Sequence, residues 1–156
     1  MAMVSKSYIL KQEKGFTIIE LVLVVVILGI LATLVYPSAS DIISSQRLQS
    51  TAKEILSDLR IAQQLAISKE NNTRIIFNNS SSTPPNTYFV KNVTANETIK
   101  EATLPPGITI NTSKIIDFNI VGTTQNDTIT LKNTKGETLF VVVYMKGRFR
   151  ITEIEP

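Results

Sequence analysis

Few residues of this sequence have the type and spacing to do chemistry. Glu20 is a lone carboxylate at the start of an apolar run, and residues 21–32 that follow it are all apolar or Gly. Arg148 and Arg150 lie two apart near the end of the chain, with Glu153 and Glu155 close behind. There is no His, the commonest general base and metal ligand, and no Cys, so no disulfide framework or thiolate metal site. The carboxylates Asp117, Asp127, Glu137 and Glu153 are scattered, and Asn126-Asp127 alone does not make a calcium site. No Gly-rich phosphate cradle and no nucleophile with a base partner is visible. These absences point away from catalysis, a metal or a cofactor, and toward binding or assembly.

The element that must position Glu20 is residues 16–36, which as a helix would be about 30 Å long and match the hydrocarbon core of a bilayer. A carboxylate just inside hydrocarbon costs several kcal/mol unless it is paired. Before the run, residues 1–15 hold Lys6, Lys11 and Lys14 against Glu13 and lack the apolar core of a secretory signal. The positive-inside rule then keeps the N-terminus cytoplasmic, with one span and the bulk of the chain outside. The whole chain has 16 Lys+Arg and 13 Asp+Glu, so its charge is only weakly basic and owes part of that to the leader. Pro37 lacks an N–H and leaves the carbonyl of Thr33 without its helical partner, so a kink is expected there, and Gly29 also weakens the helix.

The segment KGFTIIE, followed by an uncharged span, resembles the N-terminal signal of type IV pilins and type II secretion pseudopilins. The resemblance implies that a prepilin peptidase cuts between Gly15 and Phe16 and that Phe16 becomes N-methylated. It further implies that Glu20 pairs with the new amine of a neighbouring subunit and sets axial register in a filament. Its implied partners are the peptidase, sister pilin-like subunits held through the N-terminal helix, an inner-membrane assembly platform and membrane lipid.

Residues 37–71 read as the amphipathic half of the same helix. Leu48, Ala52, Ile55, Leu59, Ala62 and Ala66 recur at alternating steps of four and three, one face of a helix suited to pack on a sheet. Asn71-Asn72 marks a stop. From residue 72 the composition turns to Thr, Ile, Val, Asn and aromatics, and strands are expected over 74–77, 87–93, 108–111, 115–120, 128–132, 137–144 and 149–154. Ile129 and Leu131 should face inward. Turns are expected at 133–136, where Gly136 suits positive φ, and at Lys146-Gly147, with a loop over 78–86 and a break at 104–107. The predicted organisation is a leader over 1–15, a transmembrane helix over 16–36, an amphipathic half over 37–71 and a β-rich head over 72–156. The fold class is α+β.

The C-terminal part resembles the GspH/FimT branch of minor pseudopilins and pilins, through Phe118-x-x-x-Gly122 and Gly147-Arg148-x-Arg150. In a strand, Arg148 and Arg150 lie on one face and could grip phosphates of a nucleic-acid backbone, with Lys146 and Lys132 or Lys135 extending the patch. The same pattern also serves as an ordinary solvated strand, and Glu153 and Glu155 would blunt a basic field. The resemblance favours a minor subunit of a type II secretion pseudopilus, with a minor type IV pilin for DNA uptake as the alternative. A membrane-anchored enzyme would need converging carboxylates, which the spacing does not offer.

Overall fold

Among the described residues, one helix, α1 (Ile18–Ser68), is followed by eight strands. The structure is a computed structural model that describes residues 15–155, and within α1 the side chains of 34–41 are not described. The expected leader over 1–15, apart from Gly15, therefore lies outside the described residues, as do the side chains around Pro37, where the kink was expected. The chain forms two compact units, residues 1–39 and 40–156.

In the first unit the large apolar side chains from Phe16 to Leu31 are between 48 % and 88 % exposed. Val, Ile and Leu surround the helix on all sides, so no single face could pack on a core. Among the described residues no helix is long and apolar enough to cross a membrane. Within this unit the described side chains end at Thr33. The expected span over 16–36 thus runs past the described side chains.

In the second unit the stripe behaves as expected. Leu48, Ala52, Ile55, Leu59, Ala62 and Ala66 are all buried in the core. α1 ends one turn earlier than the Asn pair, because Glu70 adopts φ +50° and the Asn71 N–H bonds back to the Ala66 carbonyl at 3.2 Å. This is the six-to-one hydrogen bond of a helix C-cap, with Glu where Gly is usual.

The strands are β1 (Thr73–Phe77), β2 (Thr87–Asn92), β3 (Glu97–Thr103), β4 (Ile108–Ile110), β5 (Lys114–Phe118), β6 (Asp127–Asn133), β7 (Thr138–Tyr144) and β8 (Arg148–Thr152). They form two four-stranded sheets, ordered β3-β2-β1-β5 and β4-β6-β7-β8, with every pairing antiparallel. The inner faces of both sheets and the α1 stripe make one core, in which Ile75, Phe77, Tyr88, Phe118, Ile129, Leu131, Val141 and Val143 are almost completely buried. Gly136 (φ +87°) and Gly147 (φ +67°) make the two expected hairpin turns.

Two expectations are corrected. β3 was not foreseen: its sequence, ETIKEAT, is mostly charged or polar and it is an exposed edge strand, so it carries no apolar alternation. The strand expected over 115–120 stops at Phe118, because Asn119 opens a side-chain-supported turn.

Candidate functional site

At the start of α1, Thr17 and Glu20 bond reciprocally. The Thr17 N–H and hydroxyl donate to Glu20 Oε2 at 2.9 and 3.0 Å, and the Glu20 N–H donates to Thr17 Oγ1 at 3.3 Å. This is a capping box, with Thr17 as N-cap three residues before Glu20. The negative carboxylate also sits at the positive end of the helix dipole. Glu20 is therefore not a bare charge within the helix, and pairing with another subunit would exchange these bonds for a new one. The Thr-x-x-Glu spacing was the signal for this arrangement, and the sequence reading passed over it. Among the described residues, a Cβ at Gly15 would meet nothing within 4 Å.

The second candidate is the outer face of the sheet β4-β6-β7-β8. Arg148 and Arg150 are both exposed and on the same side of β8, opposite Tyr144 and Val142 of β7. The Arg148 guanidinium lies 5.8 Å from the Tyr144 ring centroid, within cation–π range. Among the described residues neither Arg148 nor Arg150 is in an ion pair. Lys146 is exposed in the turn just before β8 and can join them. Lys132 shares the face but sits opposite Thr138, six residues along β7 from Tyr144 and about 20 Å away. Lys135 is in the turn beyond it. Neither extends the arginine pair. Glu155 lies beside Arg150 in a shallow concavity of about 210 Å³, whereas Glu153 lines a groove with Gln49 and Leu139 beside α1. Only Glu155 blunts the basic face.

Three of the four scattered carboxylates have structural partners. Asp117 accepts two bonds from the Arg74 guanidinium, at 2.6 and 3.0 Å. Asp127 pairs with Lys114 at 2.8 Å, and Glu137 accepts from Ser45 and Asn133, both at 2.7 Å. Among the described residues no group of His, Cys, Asp or Glu could hold a metal ion.

Two positioning features were missed by the sequence reading. The first is Asp58, beside the α1 stripe and only 4 % exposed. It accepts from the Tyr88 hydroxyl at 2.5 Å and the Lys100 ammonium at 2.7 Å, and so ties α1 to β2 and β3. Burial and the hydrogen bond to Asp58 push the Tyr88 hydroxyl well above its usual range. For Lys100, burial works to lower the ammonium pKa, but the hydrogen bond and charge of Asp58 outweigh it and the net shift is upward. An acid set three residues after Ile55, beside the apolar stripe, was the signal. The second is Gln63, whose side chain donates to the Gly122 carbonyl at 2.8 Å. A Cβ on Gly147 would overlap the same Gln63 amide, so both motif glycines are held against α1.

Three comparisons bear on this geometry. Residues 10–36 match the family model described as the prokaryotic N-terminal methylation motif. The chain is similar to competence protein ComGD of Bacillus subtilis (strain 168), at 32% identity over 68 residues, which is 44% of this chain and 48% of that protein. It thus spans about half the length of that curated relative. The fold is similar to the type IV minor pilin FimU of Pseudomonas aeruginosa, with TM-score 0.54 and 15% identity over 70% of this chain and 93% of that one. It is also similar to the minor pseudopilin EpsH from the type 2 secretion system of Vibrio cholerae, with TM-score 0.54 and 12% identity over 68% of this chain and 96% of that one. In its N-terminal motif and in its fold, then, the chain is type IV pilin-like.

Proposed function

We propose that this pilin-like chain is a minor subunit of a pilus-like filament that works in DNA uptake. Prepilin peptidase cleaves it between Gly15 and Phe16 and Phe16 is N-methylated. Its helix anchors it in the cytoplasmic membrane with the head outside and then packs among sister subunits, with Glu20 setting register. The inner-membrane platform and membrane lipid are its other partners, and the mechanism is assembly, with no catalytic residue.

The observation that carries this reading is the N-terminal methylation motif joined to sequence similarity with a competence protein. The exposed Arg148 and Arg150 add a surface that can neutralise phosphates. The second reading is a minor pseudopilin of type II secretion, which the GspH/FimT resemblance of Phe118-x-x-x-Gly122 and Gly147-Arg148-x-Arg150 and the fold of EpsH favour. Sequence similarity to ComGD outweighs fold similarity at 12% identity, because the fold is similar both to a type IV minor pilin and to a secretion pseudopilin and does not choose between them.

DNA binding by the full chain in detergent separates the two readings. Two phosphate contacts give a log–log salt slope of about −2, so the titration starts at low salt. Binding that the Arg148→Ala/Arg150→Ala variant loses is the expected result. No binding at low salt returns the reading to the secretion pseudopilin.

A further inference from the structure

Strand register sorts the outward residues of the sheet β4-β6-β7-β8 into rows that cross it. Thr128, Val142 and Arg150 form one row, and Thr130, Phe140 and Thr152 form the next. Tyr144 and Arg148 lie beyond the first row, and Lys132, opposite Thr138, lies beyond the second. One corner of the face therefore carries Arg148 and Arg150, and the far corner carries Lys132, about 20 Å along the strands. Lys132 is too distant to join the arginine pair, but it marks the other end of the same face. Phe140 stands between them, partly exposed.

This face departs from an ordinary solvated sheet in two ways. Its middle strand β7 turns Phe140, Val142 and Tyr144 outward, where an antiparallel sheet with one face in water places polar residues. In addition, no carboxylate occupies an outward position of β6, β7 or β8. Asp127 has the inward register, opposite Val143, and pairs with Lys114. Glu155, beyond β8, is the acid beside Arg150. The other sheet mixes signs on its outer face, where Arg74 pairs with Asp117 and Glu101 stands opposite Phe89. Among the described residues Arg148, Arg150 and Lys132 are in no ion pair. Positive charge is thus gathered on one face without its counter-charge, which suits a polyanion.

We infer that this face is a platform for an unpaired nucleic-acid strand, an inference that rests on the DNA-uptake function proposed above. The cations at its two ends take phosphates. Between them the Phe140 ring and the Tyr144 ring with its Arg148 guanidinium offer flat surfaces to bases, about 14 Å apart along β7. The hydroxyls of Thr128 and Thr130 on the neighbouring strand can bond base edges. A duplex does not use this layout. Its bases stack on one another, so it would lay only sugar and phosphate over Phe140 and Val142, and the ring would find no base face.

The test titrates the full chain in neutral detergent, from low salt upward, with a labelled oligothymidine of about 12 nucleotides and with a duplex of the same length. The single strand should bind at least tenfold more tightly than the duplex. Phe140→Leu keeps an apolar side chain but removes the ring. It should weaken strand binding at least fivefold with an unchanged salt slope, while Phe140→Tyr stays near wild type. Lys132→Ala should flatten the log–log salt slope for the strand by about 0.7, the share of one phosphate contact. Duplex binding as tight as strand binding overturns the inference, as does strand binding that Phe140→Leu leaves unchanged, or a wild-type slope in Lys132→Ala. If Phe140→Leu fails to fold, the strand preference and the Lys132→Ala slope decide. Duplex binding that the Arg148→Ala/Arg150→Ala variant loses, with no preference for the strand, marks failure of the platform alone. Absence of binding to either form marks failure of the DNA-uptake reading as well.

Discussion

The two parts of α1 are equally apolar in places but meet opposite fates. Residues 18–33 are apolar around the whole circumference and nearly every large side chain is exposed. Residues 48–66 are apolar on one stripe, and that stripe is the floor of the core. The difference shows that the pattern of apolar residues, more than their number, decides what covers them. A stripe can be covered by two sheets of the same chain. A full circumference, exposed among the described residues, is the pattern that a bilayer or a set of other helices would cover.

This contrast can be broken in order of effect. Glu20→Ala should leave the chain in the membrane but reduce filament incorporation at least tenfold, measured by fractionation and immunoblot. Normal incorporation would remove Glu20 from the setting of register. Leu59→Ala should cost about 2–5 kcal/mol in unfolding of the detergent-held chain, because the buried stripe cannot collapse around the cavity. Leu23→Ala should leave the same transition unmoved, and an equal loss at both positions would erase the distinction between the two parts.

Asp58→Ala should cost about 1–3 kcal/mol, since it leaves the Tyr88 hydroxyl and Lys100 without their buried acceptor. The same trio fixes the pH response. Tyr88 and Lys100 both hold their protons more tightly folded than unfolded. Their stabilisation is complete below the unfolded values near pH 10 and is lost as pH rises beyond them. Asp58→Asn should make that alkaline loss shallower, and an unchanged slope in a urea titration across pH 9–12 would contradict the role given to Asp58. The smallest effect is expected from Arg74→Ala. The Arg74–Asp117 pair is well formed but exposed, so its loss should cost about 0–1 kcal/mol in the same denaturation assay.

The sequence was most readable where one rule acts locally. The steps of four and three placed the α1 stripe, alternation oriented Ile129 and Leu131, and Gly136 and Gly147 marked their turns. It was least readable where polar residues do structural work at long range. β3 is charged because it lies at an open edge, so no hydrophobic period announces it. Asp58 is meaningful only once Tyr88 and Lys100, 30 and 42 residues away in sequence, fold onto it. At the candidate sites, the alternation of Arg148 and Arg150 was legible from spacing, while the distance of Lys132 from them depended on strand register. The Thr17–Glu20 capping box was legible in Thr-x-x-Glu but was overshadowed by the cost of a charge beside an apolar span.

The central claim is that this chain is processed into a pilin-like subunit, and its N-terminus tests that most directly. Mass spectrometry of the chain recovered from its native membrane should find a protein that begins at Phe16 and is heavier by one methyl group. A mature chain that still carries residues 1–15, or that begins elsewhere, would contradict the account.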